Sequence, residues 1–280
     1  MKQMTMYFRL VLLLSIATVG LCNLKIASFN IKWLSVNKLS NNETMTIIKK
    51  VIERYDIISI LEVRADNSIH MLMQNLNMDN RDNPYGVVLS KKLGHSVHYT
   101  ESYAILFRIN NVFVQEVYQF PDQDDVFARE PYAVMFHSLD SRPANFVYIV
   151  LHTQPTNTPA ELEHMVSAYD NIANFMGNQN ALIAGDLNAD CHYLSQTSHD
   201  HNRLYTDKRF TWLIDSDVDS TVSTGTDCAY DRFIVAGDEL KQNIVPNSAR
   251  VYNFQQAMKL TYDQTITVSD HFPIEVEIRS

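Results

Sequence analysis

The chain has 280 residues, with 23 Lys and Arg against 32 Asp and Glu and a formal charge of −9. That length supports one large core, and the acidic balance argues against a general polyanion binder, whose affinity comes from massed Lys and Arg. One class of phosphate-handling protein escapes this exclusion: an enzyme whose carboxylates hold divalent cations, so that the metals and a few arginines meet the phosphates.

Residues 1–22 read as a secretory signal. Lys2 and Arg9 form a charged flank, an uncharged apolar run extends from Leu10 to Cys22, and Gly20 stands at the small-residue position before a cut after Cys22. The run is too short to span a bilayer, and no later stretch of eighteen apolar residues follows. Loss of Lys2 and Arg9 takes the charge from −9 to −11. Residues 23–280 show no repeat, low-complexity block or linker, so they are expected to form one soluble, exported domain.

Residues 24–30 alternate as a strand. Asn42-Glu43-Thr44 is a glycosylation sequon, expected to be used at Asn42, just before a helix whose apolar face is Met45, Ile48, Val51, Ile52 and Tyr55. Residues 56–61 suit a buried strand, and residues 103–108, 112–120, 132–136 and 146–151 suit consecutive antiparallel strands. The next helix covers residues 159–176. Thr158 is its expected N-cap, Glu161 completes a capping box, Leu162, Met165, Val166, Tyr169, Ile172, Ala173 and Met176 form its stripe, and Gly177 is its stop. Strands at 181–184, 230–236 and 274–278 follow. The mixture is too rich in strands for a doubly wound sheet and suits two packed sheets with helices outside. Once Cys22 leaves with the signal, Cys191 and Cys228 form an even pair. In an oxidising compartment this reads as a disulfide rather than two free thiols, contributing roughly 3 to 4 kcal/mol.

Polar residues collect where the strands end. Asn30 closes the first strand, Glu62 the second, and His152 follows residues 146–151. Asp186 and Asn188 sit in Gly185-Asp186-Leu187-Asn188, Asp231 opens the strand after Cys228, and Asp270-His271 announces the last strand. Taken singly, each is as readily a strand cap or surface charge. Adjacent Asp270 and His271 offer a hard oxygen ligand beside a titratable imidazole, and Asp-x-Asn sets two oxygen-bearing side chains on one side of an extended segment. Together they point to metal-assisted phosphodiester cleavage.

Their order, with Glu101, closely resembles the deoxyribonuclease I family. The match is carried by Leu24-Lys25-Ile26-Ala27-Ser28-Phe29-Asn30-Ile31, Leu61-Glu62-Val63-Arg64, Phe127-Ala128-Arg129-Glu130-Pro131, Gly185-Asp186-Leu187-Asn188-Ala189-Asp190-Cys191, Cys228-Ala229-Tyr230-Asp231-Arg232 and Ser269-Asp270-His271. The resemblance spans nearly all of residues 23–280 and implies the same Cys191–Cys228 bridge. It further implies an α/β four-layer sandwich of two packed mixed β-sheets flanked by helices, and a Mg2+-dependent (or Mn2+-dependent), Ca2+-stabilised endonuclease that leaves 5′-phosphate ends. Glu62, Asn30 and Asp270 are then expected to hold one cation, and Asp186 and Asn188 to hold a second or brace the phosphate. Glu101 and Asp231 each orient one imidazole, with His271 assigned to activate water and His152 to protonate the departing 3′ oxygen.

By the same resemblance Arg64, Tyr99, Arg129 and Tyr230 align with contacts to double-stranded DNA, where minor-groove reading gives little sequence preference. One structural calcium site would use Asp125, the Phe127 carbonyl and Glu130. A second would use Asp219, Thr224 and Thr226, although its loop is one residue longer and Val222 offers no side-chain oxygen. The groove loop from Gly94 to Tyr99 is also one residue longer, with His95 near the place of an arginine. Val87, Leu89 and the bulky Tyr132 stand where some members of the family meet actin, so actin is not expected as a partner, and a monomer without membrane association is. Neutral sphingomyelinases and inositol-phosphate phosphatases share the Gly-Asp-x-Asn and Ser-Asp-His signatures, but Arg64, Tyr99 and the Cys228–Arg232 segment argue against them. A decayed binding module is the third class, and every expected catalytic residue is present.

Overall fold

A computed structural model describes residues 23–95 and 99–280. The expected signal at 1–22 lies outside the described residues, as do Ser96, Val97 and His98 of the groove loop. Twelve strands occur among the described residues: β1 (Leu24–Leu34), β2 (Ile57–Val63), β3 (Tyr85–Leu89), β4 (Ser102–Arg108), β5 (Val112–Gln119), β6 (Tyr132–Ser138), β7 (Asn145–Val150), β8 (Ala181–Asp186), β9 (Phe210–Trp212), β10 (Asp231–Ala236), β11 (Arg250–Val251) and β12 (Ile274–Ile278). The helices are α1 (Val36–Leu39), α2 (Asn42–Ile52), α3 (Asp66–Asp79), α4 (Thr158–Met176), α5 (Gln196–His201), α6 (Arg203–Thr206), α7 (Asp238–Asn243), α8 (Phe254–Met258) and α9 (Tyr262–Val268).

The strands form two six-stranded sheets, ordered β11-β12-β1-β2-β4-β3 and β5-β6-β7-β8-β10-β9. In the first, β1 lies antiparallel to β12 and parallel to β2. In the second, β8 lies parallel to β7 and antiparallel to β10, with Asp231 directly opposite Asp186. Alternation along each strand divides the apolar residues among three cores. Ile26, Ile57, Ile105, Phe136, Tyr148, Phe233 and Val276 fill the space between the sheets. Phe29, Ile58 and Leu106 pack outward with Ile48 of α2 and Leu72 of α3, while Ile149 and Ile183 pack outward with Leu162, Met165 and Ile172 of α4. The result is the four-layer α/β sandwich, and it brings the ends of β1, β2, β7, β8 and β10 to one rim.

The long helix has the expected extent but a different start. A 3-10 turn, Pro155–Asn157, precedes it, and Asn157 is the N-cap with no side-chain cap bond. Thr158 lies inside the helix, donating its hydroxyl to the Gln154 carbonyl at 3.2 Å. The Glu161 carboxylate accepts N–H groups from Gln154 and Ala128, both at 3.3 Å, so it serves donors ahead of the helix and in a separate loop instead of closing a capping box. Burial pushes its pKa up to about 7. Gly177 ends α4 at φ 63°, as the sequence predicts. Helix α2 begins one turn earlier than its apolar stripe, so Asn42 lies exposed in the first turn and Asn41 is the cap, its side chain accepting Thr44 N–H at 3.0 Å. Cys191 and Cys228 are joined by a disulfide with Cα atoms 5.9 Å apart.

Candidate active site

Two imidazoles meet at one carboxylate. The chain leaves β7 at Val150, leaves β8 at Asp186 and enters β10 at Asp231, so His152, Asp186 and Asp231 share the rim of the second sheet. Gly185 permits this close approach. It has φ 150°, and a Cβ there would lie 1.8 Å from the Leu151 carbonyl oxygen, so any side chain would push the two strand ends apart. From the first sheet come Asn30, where the parallel pairing of β1 with β2 breaks register before resuming at Leu34, and Glu62, at φ 60°. Ser269 ties the last loop to this point by donating its hydroxyl to the Asn30 carbonyl at 2.7 Å, which places Asp270 and His271 over the rim.

Each imidazole is pinned at Nδ1 and points Nε2 inward. His152 Nδ1 is 2.9 Å from Glu101 Oε1, and His271 Nδ1 is 2.7 Å from Asp231 Oδ2. Both Nε2 atoms lie 3.6 Å from Asp186 Oδ2. A carboxylate on Nδ1 fixes the tautomer and the ring plane, leaving Nε2 to exchange protons with whatever sits at the centre. Asn30 Nδ2 donates at 3.0 Å both to that same Asp186 oxygen and to Glu62 Oε1, bridging the two sheets through their carboxylates. Glu62 Oε2 accepts the Trp33 N–H at 3.0 Å, and Asn188 donates its backbone N–H to Asp186 Oδ1 at 3.2 Å.

Charge separates the two histidines. Burial opposes protonation of both, but Glu101 raises His152 above the usual imidazole range while Arg129 partly offsets the gain. Arg129 donates through Nε to Glu101 Oε2 at 2.9 Å and through an Nη to the His152 carbonyl. His271 has no such cation. Asp231, Asp186 and Asp270 together outweigh its burial and raise it to about 10. Burial likewise opposes ionisation of Asp186, yet His271 and His152 hold its carboxyl below the usual range. Like charges directly opposite on paired strands repel, and the His271 proton relieves the facing Asp186 and Asp231.

The donor set fits a divalent cation. Ligand atoms of Asp186, Asp231 and His271 lie within 4.8 Å of one another, and the buried Asp231 Oδ1 meets no hydrogen-bond donor. Hard carboxylate oxygens of this kind suit Mg2+ or Mn2+. Asp270, expected as a ligand, has its Oδ2 2.8 Å from Lys32 Nζ, and its Oδ1 is 4.0 Å from His271 Nε2.

The expected DNA contacts surround this centre. Tyr99 is exposed and shares a groove with His95, Ala128 and Arg129 on the His152 side. Half-buried Tyr230 packs against Tyr193 and lies 6.3 Å, ring to ring, from His271. Arg64 follows β2 with its guanidinium 5.4 Å from the Trp33 ring centre.

The expected calcium sites fare differently from the central cluster. At the first, Glu130 Oε2 is buried and unpartnered, which suits a cation, but His95 Nε2 lies 3.2 Å from both Asp125 Oδ1 and the Phe127 carbonyl. At the second, Asp219 Oδ1 already accepts Thr221 N–H, the Thr221 hydroxyl and Cys228 N–H, and the Thr226 hydroxyl bonds that of Thr221. Thr224 is exposed. This second loop is closed by its own side chains and does not fit the ion.

The sequence profile described as the Endonuclease/Exonuclease/phosphatase family matches residues 27–271. Deoxyribonuclease gamma of Mus musculus is 38% identical over 264 residues, covering 92% of this chain and 85% of the mouse protein. Deoxyribonuclease-1 of Bos taurus is 37% identical over 263 residues, covering 91% of this chain and 92% of the bovine one. The crystal structure of the endonuclease/exonuclease/phosphatase from Bacteroides vulgatus shares the fold at TM-score 0.63 and 15% identity, covering 92% of this chain and 99% of that one. The human Nocturnin catalytic domain with bound sulfate anion does so at TM-score 0.62 and 13% identity, covering 91% and 92%. The chain belongs to the endonuclease/exonuclease/phosphatase family and, within it, to the deoxyribonuclease I family.

Some residues that build the site escape a sequence reading. Ser220 donates its hydroxyl to Asp231 Oδ2 at 2.8 Å and accepts the N–H groups of Tyr230 and Asp231 at 3.1 Å, from a loop with no local signal. Lys38 donates to the carbonyls of Ile31, Lys32 and Val268, stapling the end of β1 to α9. Burial lowers it to about 8.

Proposed function

We propose that this chain is a divalent-cation-dependent DNA endonuclease that hydrolyses phosphodiester bonds with little sequence preference, leaves 5′-phosphate ends and acts as a monomer outside the cell. The supporting observation is the convergence of two carboxylate-pinned imidazoles on Asp186 Oδ2, each Nε2 at 3.6 Å. Hydrolysis needs one proton removed and one supplied on opposite sides of a phosphorus, and two inward Nε2 atoms meet that need. His271 takes a proton from the attacking water, whose oxygen bonds to phosphorus. His152 gives its proton to the departing 3′ oxygen as the P–O bond breaks. Glu101 and Asp231 hold the rings in register throughout. Asp186, with Glu62, Asn30 and Asp270 around it, would hold a divalent cation, which would neutralise charge on the phosphate and weaken the hold of these carboxylates on the His271 proton. Asn188 braces the phosphate from the side of β8.

Arg64, Tyr99, Arg129 and Tyr230 make the DNA contacts in this reading, and Asp125, Phe127 and Glu130 hold one structural Ca2+. No helix among the described residues is long and apolar enough to cross a membrane. The disulfide fits an oxidising compartment, in keeping with export and with a glycan on the exposed Asn42. Val87 and Leu89 are half-buried against the core and Tyr132 is buried, which supports a surface without affinity for actin.

The test is conversion of supercoiled plasmid to nicked circles in Mg2+ and Ca2+, with EDTA and His271→Ala as controls. Nicking that requires the cation and His271 is expected. Intact plasmid with the wild-type chain would exclude the reading and turn attention to other phosphoesters.

A further inference from the structure

A tryptophan stands beside the site in a conformation that few bulky residues adopt. Lys32 and Trp33 have φ 51° and 57°, two consecutive left-handed residues at the end of β1. Their backbone is used: Lys32 N–H donates to Asn30 Oδ1 and Trp33 N–H to Glu62 Oε2, both at 3.0 Å. Nothing in that use requires an indole, yet the Trp33 side chain projects outward and the residue is 56% exposed.

The indole lines a groove of about 420 Å3 together with Ile266 of α9. In a chain of net charge −9, none of the residues lining this groove is acidic. Lys32, Lys38, Asn37 and Asn41 are among them, so the walls offer an aromatic face, amides and cations. Lys38 is committed to backbone carbonyls, whereas Lys32 is half-exposed and, though paired with Asp270, is the cation of this groove that a ligand phosphate can reach. Its ammonium, 2.8 Å from Asp270 Oδ2, joins the groove to the catalytic rim.

Resting on the nuclease reading above, we propose that this groove is a subsite for one unpaired nucleotide next to the scissile phosphate. The base stacks on Trp33 and the neighbouring phosphate meets Lys32. A base within a duplex has both faces covered by its neighbours, so only a single-stranded or frayed strand engages the indole. The chain therefore cuts single-stranded DNA with help that it does not give to duplex.

The experiment compares kcat/KM on a single-stranded oligonucleotide and on its duplex, for wild type, Trp33→Ala and Trp33→Phe. Trp33→Ala is expected to lose roughly five- to hundredfold more on the single strand than on duplex, where the Arg64 guanidinium beside the ring also feels the change, with Trp33→Phe restoring most of the loss. Equal losses on both substrates, no loss on either, or a wild type unable to cut the single strand would overturn the subsite. A second arm measures binding of a short oligothymidylate in EDTA. Affinity weakened at least about fivefold by Trp33→Ala supports the subsite, and unchanged affinity refutes it. A wild type that cuts neither substrate removes the nuclease reading, while the binding arm still decides the subsite.

Discussion

The two imidazole–carboxylate pairs are built alike and charged differently. Glu101 is shared between His152 and the guanidinium of Arg129, so its negative charge is divided. Asp231 is supported by the neutral hydroxyl of Ser220 and faces His271, which also meets Asp186 and, at 4.0 Å, the Lys32-paired Asp270. The same pair of side-chain types thus yields two imidazoles raised above the usual range in different surroundings, His152 against a nearby guanidinium and His271, at about 10, among carboxylates. The wider charge environment, more than the immediate hydrogen bond, sets what each histidine does.

The largest expected effect treats the pairs as equals. His152→Ala and His271→Ala should each lower kcat by about 10²- to 10⁴-fold, and the double variant should lose little more than the worse single one. Multiplicative losses in single-turnover rates would show that the histidines do not act in one step.

Replacing the carboxylates should separate the pairs. Glu101→Gln strands the half-buried Arg129 guanidinium and is expected to cost about 3 kcal/mol in urea unfolding. Asp231→Asn, whose partner can shed its proton, should cost less than about 1 kcal/mol yet lower kcat at least about a hundredfold. Equal stability losses would erase the difference drawn here.

The raised basicity of His271 has a signed consequence for the metal-free protein. Its folded value lies above the unfolded one, so its stabilisation is complete below about pH 6.5 and is lost as pH rises toward 10. Unfolding in EDTA should show a decline of at most about 1.4 kcal/mol per pH unit in this window, flattened in His271→Asn. An unchanged slope in that variant would assign the decline elsewhere. The smallest effect is a fraction of a proton. Mg2+ binding at pH 7.5 should release it from His271, seen as a dependence of the titration heat on buffer ionisation enthalpy. Identical heats in Hepes and Tris would mean the proton stays.

The main strands and the two long amphipathic helices were legible because apolar periodicity is local. Helix α3 was not: Asn and Asp dilute its stripe of Ile69, Leu72 and Leu76, and packing on β2 and β3 holds it. Strand β3 is short and carries Gly86, where a Cβ would lie 2.6 Å from the Phe107 ring, a constraint visible only with β4 in place. In the site, Asp186, Asp231 and the two histidines were marked by their motifs. Their partnership was legible through family resemblance, while the contrast between them was not. It depends on Arg129 turning inward to Glu101 and on Ser220 arriving from another loop, both tertiary events. The closure of the second calcium loop by Thr221 is a similar case: Asp219 and Thr226 look like ligands in sequence until a neighbour claims them.

The Cys191–Cys228 bridge gives this arrangement a sense of place. Cys228 carries the carbonyl that accepts Ser220 N–H at 3.0 Å, and Ser220 in turn holds Asp231, so the bridge braces the stronger of the two acid–base pairs at its root. That brace exists only where thiols oxidise. Where thiols stay reduced, the loop that carries Ser220 loses its covalent tie to the loop that follows β8.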